Sequence, residues 1–250
     1  LGIVLVPVLI VNLGIEGYGL AGVIASIVSV ALTMDLGVRT ALSRELSGQI
    51  ALKDAAQFNK LFCSGLFVYS LAGFFFASLC YFSAPWLVDL FKVSDRLRAE
   101  ALALIRWYGS ATVFLSFIDP IFRSVLAGLN RHDLNNYLQT GIGIIRDVAL
   151  LWVVGLVGGG LYGWAWVSFL SQILGLVCGI VIAGRLWPSL RVTTKGLTQK
   201  SFRSLFRVGG KIFLIRLTHM MSVRMDPFVL TAFLGPAAVA VYRPGLRLCT

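Results

Sequence analysis

Carboxylate is scarce in this sequence: 11 Asp and Glu stand in 250 residues, with 2 His, and charged residues of both signs reach only 13%. An ordinary soluble domain carries about twice that share of charge, so a water-facing globule is excluded. The four cysteines, Cys63, Cys80, Cys178 and Cys249, sit inside or beside apolar runs and lack metal-ligand spacing. They read as small core residues, with neither a metal site nor a disulfide framework implied. Walker motif, nucleophile elbow and metal cluster are all missing. Gly141 and Gly143 in TGIGIIRD, and the run Gly158 to Gly160, lack the strand context of a phosphate loop, and helix packing or a turn explains them better.

Apolar residues fill the space that charge leaves. They make up 58% of the chain, with 17 Phe and 6 Trp, and mean hydropathy is +0.85. The chain therefore belongs in a bilayer. Its 22 Lys and Arg do not indicate nucleic acid, because apolar runs of about 20 residues separate the basic positions and no solvated basic face results.

With a crossing of about 20 residues as the ruler, six spans fall at 1–13, 19–38, 61–88, 101–129, 137–157 and 161–183. A seventh occupies 211–235, and an eighth has begun by Thr250. The first is short and starts without an initiator Met, which reads as a truncated end, and a secretory signal fits poorly. Basic residues collect in alternate loops: Arg39, Arg44, Lys53 and Lys60 after the second span, Arg123 and Arg131 at the turn after the fourth, and seven more from Arg185 to Lys211. The opposite loops carry Lys92, Arg96 and Arg98 mixed with Asp89, Asp95 and Glu100. The positive-inside bias then places the N-terminus in the cytosol. The stretch 184–207, with Leu197, Phe202, Leu205 and Phe206 among basic residues, reads as an interfacial amphipathic loop on an anionic inner leaflet, so membrane lipids are an expected partner.

Charges left inside the spans carry the functional argument. Arg106, Arg146, Arg216, Arg224, Arg243 and Arg247 stand against Asp119, Asp147 and Asp226, with Asp35 at the end of the second span. A buried ion costs at least about 2.5 kcal/mol on insertion scales, so such groups face a bundle interior or a wet cavity. Arg216 is near enough to Lys211 to snorkel, whereas Arg224 lies about 20 Å along the seventh span, close to mid-bilayer. Around that helix His219 and Asp226 are about 20° apart and Arg216 and Arg224 about 80° apart, which makes one polar stripe. Asp119 and Arg123 have the i, i+4 spacing of a structural ion pair. Arg106 reads as a snorkelling residue. Arg146 and Asp147, about 100° apart on a helix, are expected to need separate partners or a wet face. The excess of guanidinium suits an anion, and arginine matches phosphate geometry.

A short echo links LGIEGYGLAGVIASI from Leu13 with LGPAAVAVYRPGLRL from Leu234, which suggests a duplication with six spans per lobe. The expected architecture is an all-α polytopic bundle: an N-terminal lobe over 1–183, the inter-lobe loop 184–207, and the start of a second lobe over 208–250.

The pieces LGIEGYGL, MDLGVRTALSREL (Met34 to Leu46), DPIFRSVLAGLNRHDLNN (Asp119 to Asn136) and FRVGGKIFL with MDPFVLTAFLGPAAVAVYR (Met225 to Arg243) resemble the polysaccharide flippases of the multidrug/oligosaccharidyl-lipid/polysaccharide exporter superfamily. The resemblance covers essentially the whole chain. It implies two six-helix lobes around a cationic cavity. It also implies an activity: moving a polyprenyl-diphosphate-linked glycan between leaflets of the cytoplasmic membrane by alternating access. Polysaccharide polymerase and glycosyltransferases are the further partners it suggests, with no cofactor. On this reading Arg216 and Arg224 attract the diphosphate, Arg39 and Arg146 assist, and Asp35 and Asp226 hold arginines or couple an ion. A multidrug/cation antiporter, which calls for carboxylates in excess of arginines, and a peptidoglycan-precursor flippase are the alternatives. A membrane enzyme such as a glycosyltransferase or polymerase is disfavoured by the short outer loops.

Overall fold

The computed structural model describes residues 2–33, 38–91, 93 and 95–190. Among these residues the regular structure is entirely helical. The elements are α1 (Gly2–Thr33), α2 (Val38–Ala51), α3 (Ala55–Leu90), α4 (Asp95–Leu104), α5 (Ser110–Gly128), α6 (His132–Leu150) and α7 (Gly160–Leu186). A π-helical turn, Ile105–Gly109, joins α4 to α5 without a break, and a second, Leu151–Leu156, extends α6.

Among the described residues, four continuous helical stretches are long and apolar enough to cross a membrane: Ala55–Leu90, Asp95–Gly128, His132–Leu156 and Gly160–Leu186. They match the third to sixth expected spans, overrunning most of their ends and stopping one residue short at 129 and 157. The reason is local chemistry. Asp54 caps α3 by accepting a hydrogen bond from the Gln57 backbone N–H at 2.9 Å, so the helix starts six residues before the apolar run at Leu61. At about 54 Å, α3 is longer than a hydrocarbon core of about 30 Å, and its polar ends reach past it.

The first expected span and the second as far as Thr33 are the two limbs of α1. Gly14, at φ 73° and ψ 166°, interrupts the helix in a conformation open essentially to glycine alone. Leu5 and Leu9 pack with Leu150, Val154 and Val167, while Leu20, Ala21 and Ile24 pack with Val88, Leu104 and Leu161, nearer the α6–α7 turn. Val28 has moved back to the opposite half, against the cluster of Phe62, Tyr69, Val113 and Phe117. The chain therefore runs out along the first limb and returns along the second.

Helix α2 was not expected as a helix. Leu42 and Leu46 are fully buried and Ile50 is partly buried, at i, i+4 and i+8, while Arg44 and Gly48 are exposed. Its apolar stripe seats against glycines: a β-carbon at Gly65 of α3 would meet Leu42, and one at Gly128 of α5 would stand 3.4 Å from both Leu46 and Ile50. The outward faces of α3, α6 and α7 are apolar, with Phe67, Phe74, Phe82, Ile145, Trp152, Leu170 and Val177 exposed. In water such a surface would aggregate; in lipid it is the expected exterior.

Candidate functional site

Three helices each turn one polar stripe inward. On α5 it is Thr112, Ser116, Asp119 and Arg123; on α6, Gln139, Gly143 and Arg146; on α7, Ser168, Ser171, Gln172 and Gly175. Spacings of three and four residues keep each set on a single helix face. Between them, closed on one side by Leu5, Leu9 and Ala25 of α1, is a cavity of about 470 Å³, with Tyr108, Leu150 and Trp164 also on its wall. This volume lies within the range of small-ligand sites.

Gln172 fastens the wall, its Nε2 donating to Ser116 Oγ at 2.8 Å and to the Thr112 carbonyl at 3.1 Å. The Asp119–Arg123 pair spans one turn of α5, with Nε 2.6 Å from Oδ2 and both side chains more than four-fifths buried. Glycines of α7 make room for it: a β-carbon at Gly175 would lie 3.7 Å from Arg123 Nη2, and one at Gly179 would lie 3.9 Å from Asp119 Oδ1. Asp119 Oδ1 is buried without a hydrogen-bond partner among the described residues, while the other oxygen of the same carboxylate meets Arg123.

Of the expected substrate-binding residues, Arg146 stands on the cavity wall, 47% exposed. Of the two settings expected for Arg146 and Asp147, a wet face is found and separate partners are not. Arg146 Nε and Nη2 both donate to Asp147 Oδ1, at 3.1 and 2.8 Å. The long side chain folds sideways across the angle that separates the two Cα–Cβ bonds. Arg123 is also re-placed: it belongs to the cavity wall rather than to the turn after α5, and its ion pair with Asp119 is the one the spacing indicated. Gly143 also differs from the expectation. A β-carbon there would meet nothing within 4 Å, so this glycine opens the cavity instead of packing a helix. Gly158 and Gly160, both at positive φ, make the α6–α7 turn as expected.

Among the described residues the wall holds two guanidinium groups and one carboxylate, and each arginine has an acidic neighbour: Asp119 for Arg123, Asp147 for Arg146. The larger cationic excess expected from the sequence rests on Arg216 and Arg224, which lie outside the described residues together with Asp35, His219, Asp226, Arg243 and Arg247. Arg39 belongs to α2 by its backbone, and its side chain lies outside the description. The hydroxyl and amide groups of Ser116, Gln139, Ser168, Ser171 and Gln172 went unremarked in the sequence. Their signal was there: polar residues three, four and seven apart within otherwise apolar spans.

The family described as polysaccharide biosynthesis protein matches residues 1–250. No curated protein matches. A solved MOP superfamily transporter from Pyrococcus furiosus, reported to have a binding pocket of reverse polarity that suggests a different function, superposes with a TM-score of 0.62 at 17% identity. The match covers 99% of this chain and 57% of that one, so the chain spans a little over half the transporter's length. At that identity the likeness is one of fold. With its polar cavity set in a helical membrane bundle and its whole length matched, the chain belongs to the polysaccharide biosynthesis protein family.

Proposed function

We propose that the protein of which this chain is part moves a lipid-diphosphate-linked oligosaccharide across the cytoplasmic membrane by alternating access. The supporting observation is the cavity itself: arginine, hydroxyl and amide groups line a hollow among helices apolar enough to sit in lipid. Such groups are costly in a bilayer and are kept where polar cargo or ions pass. The hydroxyls and amides suit a sugar, and the guanidinium groups suit the diphosphate.

In this reading Arg146, Arg216, Arg224 and Arg39 attract the diphosphate, and Asp35 and Asp226 orient arginines or couple an ion. The N-terminus is cytosolic, residues 1–183 form the first lobe, 184–207 link the lobes, and 208–250 begin the second. The turn between α3 and α4 is then on the periplasmic side. Polymerase and glycosyltransferases act on the same lipid-linked glycan before and after transport. The test is glycan export in a strain whose only copy is the full-length gene carrying Arg146→Ala or Arg224→Ala. Export at the parental level, with normal amounts of protein in the membrane, would remove that residue from the mechanism.

One observation favours a cation antiporter of the same superfamily: the Asp119 carboxylate borders the cavity, and one of its oxygens has no hydrogen-bond partner among the described residues. Dye efflux from vesicles loaded with a cationic fluorophore separates the two readings. Efflux that Asp119→Asn abolishes, with glycan export intact, would decide for the antiporter.

A further inference from the structure

Arg106 is exposed and is absent from the cavity wall. It sits in the π-helical turn Ile105–Gly109, where Ile105 and Tyr108 point inward and are buried while Arg106 points out. The last acid before it on the same helix is Glu100, about 9 Å away along the axis. Beside it runs the lipid-side surface of α3, with Phe82 at 78% and Trp86 at 63% exposure. An arginine here lies on the lipid-facing side of the bundle, close to the level where α4 becomes polar.

Two features show what its guanidinium is ready to receive. Arg98, Arg123, Arg131 and Arg146 each have a carboxylate within ion-pair distance; among the described residues Arg106 has none. Its partner is a ring, with Cζ 5.6 Å from the centroid of Tyr81. Stacking occupies the face of the guanidinium plane and leaves the five N–H donors free at its edge. Unmet donors in an apolar setting are costly, so the edge requires an acceptor that can reach this depth from the membrane surface.

The surroundings identify that acceptor. Trp107 and Trp166 pack with centroids 4.9 Å apart on the neighbouring surface, and Trp166 is half exposed. Tryptophan and tyrosine gather in this way at the headgroup level of a bilayer. A phosphodiester at that level offers two oxygens to the arginine fork. With no carboxylate at hand, the site has no counter-charge for an ammonium headgroup. We propose that Arg106, stacked on Tyr81, binds the phosphodiester of an anionic phospholipid in the leaflet on the α3–α4 side, with acyl chains lying along Phe82.

The full-length protein, equilibrated in detergent with equal amounts of phosphatidylglycerol and phosphatidylcholine, tests this by native mass spectrometry. The parent should retain phosphatidylglycerol in preference. Arg106→Gln should lower that retention about tenfold, the loss of one charge-assisted hydrogen-bond pair. Arg106→Lys should recover part of it, and Arg98→Gln, which alters an arginine already paired with Asp89, should leave it unchanged. Tyr81→Leu keeps the charge and removes the ring, and should give an intermediate loss, which supplies a reading even if Arg106→Gln yields little protein. Equal retention of the two lipids by the parent, or undiminished phosphatidylglycerol on Arg106→Gln, overturns the proposal. Displacement of the lipid by millimolar inorganic phosphate would mark a free-anion site and overturn the assignment to lipid.

Discussion

Arg123 and Asp119 meet at 2.6 Å on one face of α5, and Gly175 and Gly179 of α7 supply the space that the pair occupies. Two charges on an apolar helix are tolerable there because each offsets the desolvation of the other and both border a polar hollow. Breaking the pair therefore costs more than removing it whole. Asp119→Leu alone strands a guanidinium and should destabilise the full-length protein by about 2 kcal/mol, less than in a dry core because the cavity admits water. The double variant Asp119→Leu/Arg123→Met should recover most of that loss. Thermal unfolding in detergent reads the difference; a double variant no more stable than the single would show that the pair is not the unit.

Room for the pair also makes Gly175 and Gly143 respond differently. A β-carbon at Gly175 would stand 3.3 Å from Ile142 Cδ1 and beside Arg123, so Gly175→Val should crowd the cavity and cost about 1–3 kcal/mol. At Gly143 the added methyl would meet nothing within 4 Å, and Gly143→Ala should leave stability unchanged or raise it by up to about 1 kcal/mol through helix propensity. Melting temperatures of the two variants check the contrast. Equal losses would mean that both glycines serve packing.

At Gly14 the constraint is the backbone. The space beside it is open, since a β-carbon would touch nothing within 4 Å, yet φ 73° with ψ 166° excludes side-chain-bearing residues. Gly14→Ala should cost about 2 kcal/mol with no steric clash to relieve, and second-site substitutions in facing side chains should not rescue it. Yield of folded protein in membranes is the measurement, and rescue by trimming a neighbour would point to packing instead.

Much of this architecture was legible in the sequence because lipid imposes a simple ruler. Runs of about 20 apolar residues located the crossings, and the Asp119–Arg123 spacing located an ion pair. Helix ends were less legible: the Asp54 cap starts α3 well before its apolar run, and hydropathy is blind to capping. Helix α2 was hidden for a related reason. Its Leu42, Leu46 and Ile50 stripe is amphipathic, and a search tuned to continuous apolar runs passes over it. The cavity was half legible. Charge singled out Arg146, but Ser116, Ser171 and Gln172 are individually ordinary, and only the bundle brings the three stripes together.

Arg146 and Asp147 provide the sharpest test of the transport reading. Both bonds from Arg146 go to the one oxygen Asp147 Oδ1, so the pair does not use Nη1, and the side chain lines the cavity. Asp147, 17% exposed, holds the arm in place, while the arm itself is 47% exposed and free to reach an anion. If Arg146 contacts a diphosphate, Arg146→Ala should reduce glycan export about tenfold, the value of one charged contact, and Arg146→Lys should restore only part because it lacks the fork. Asp147→Asn should have a weaker effect, since it loosens the arm and keeps its charge. A purely structural pair predicts the reverse pattern: both substitutions would lower the melting temperature alike, and export would follow protein level. Measuring export per unit of membrane-inserted protein separates these outcomes. Parental export by Arg146→Ala would place the diphosphate contact elsewhere along the route.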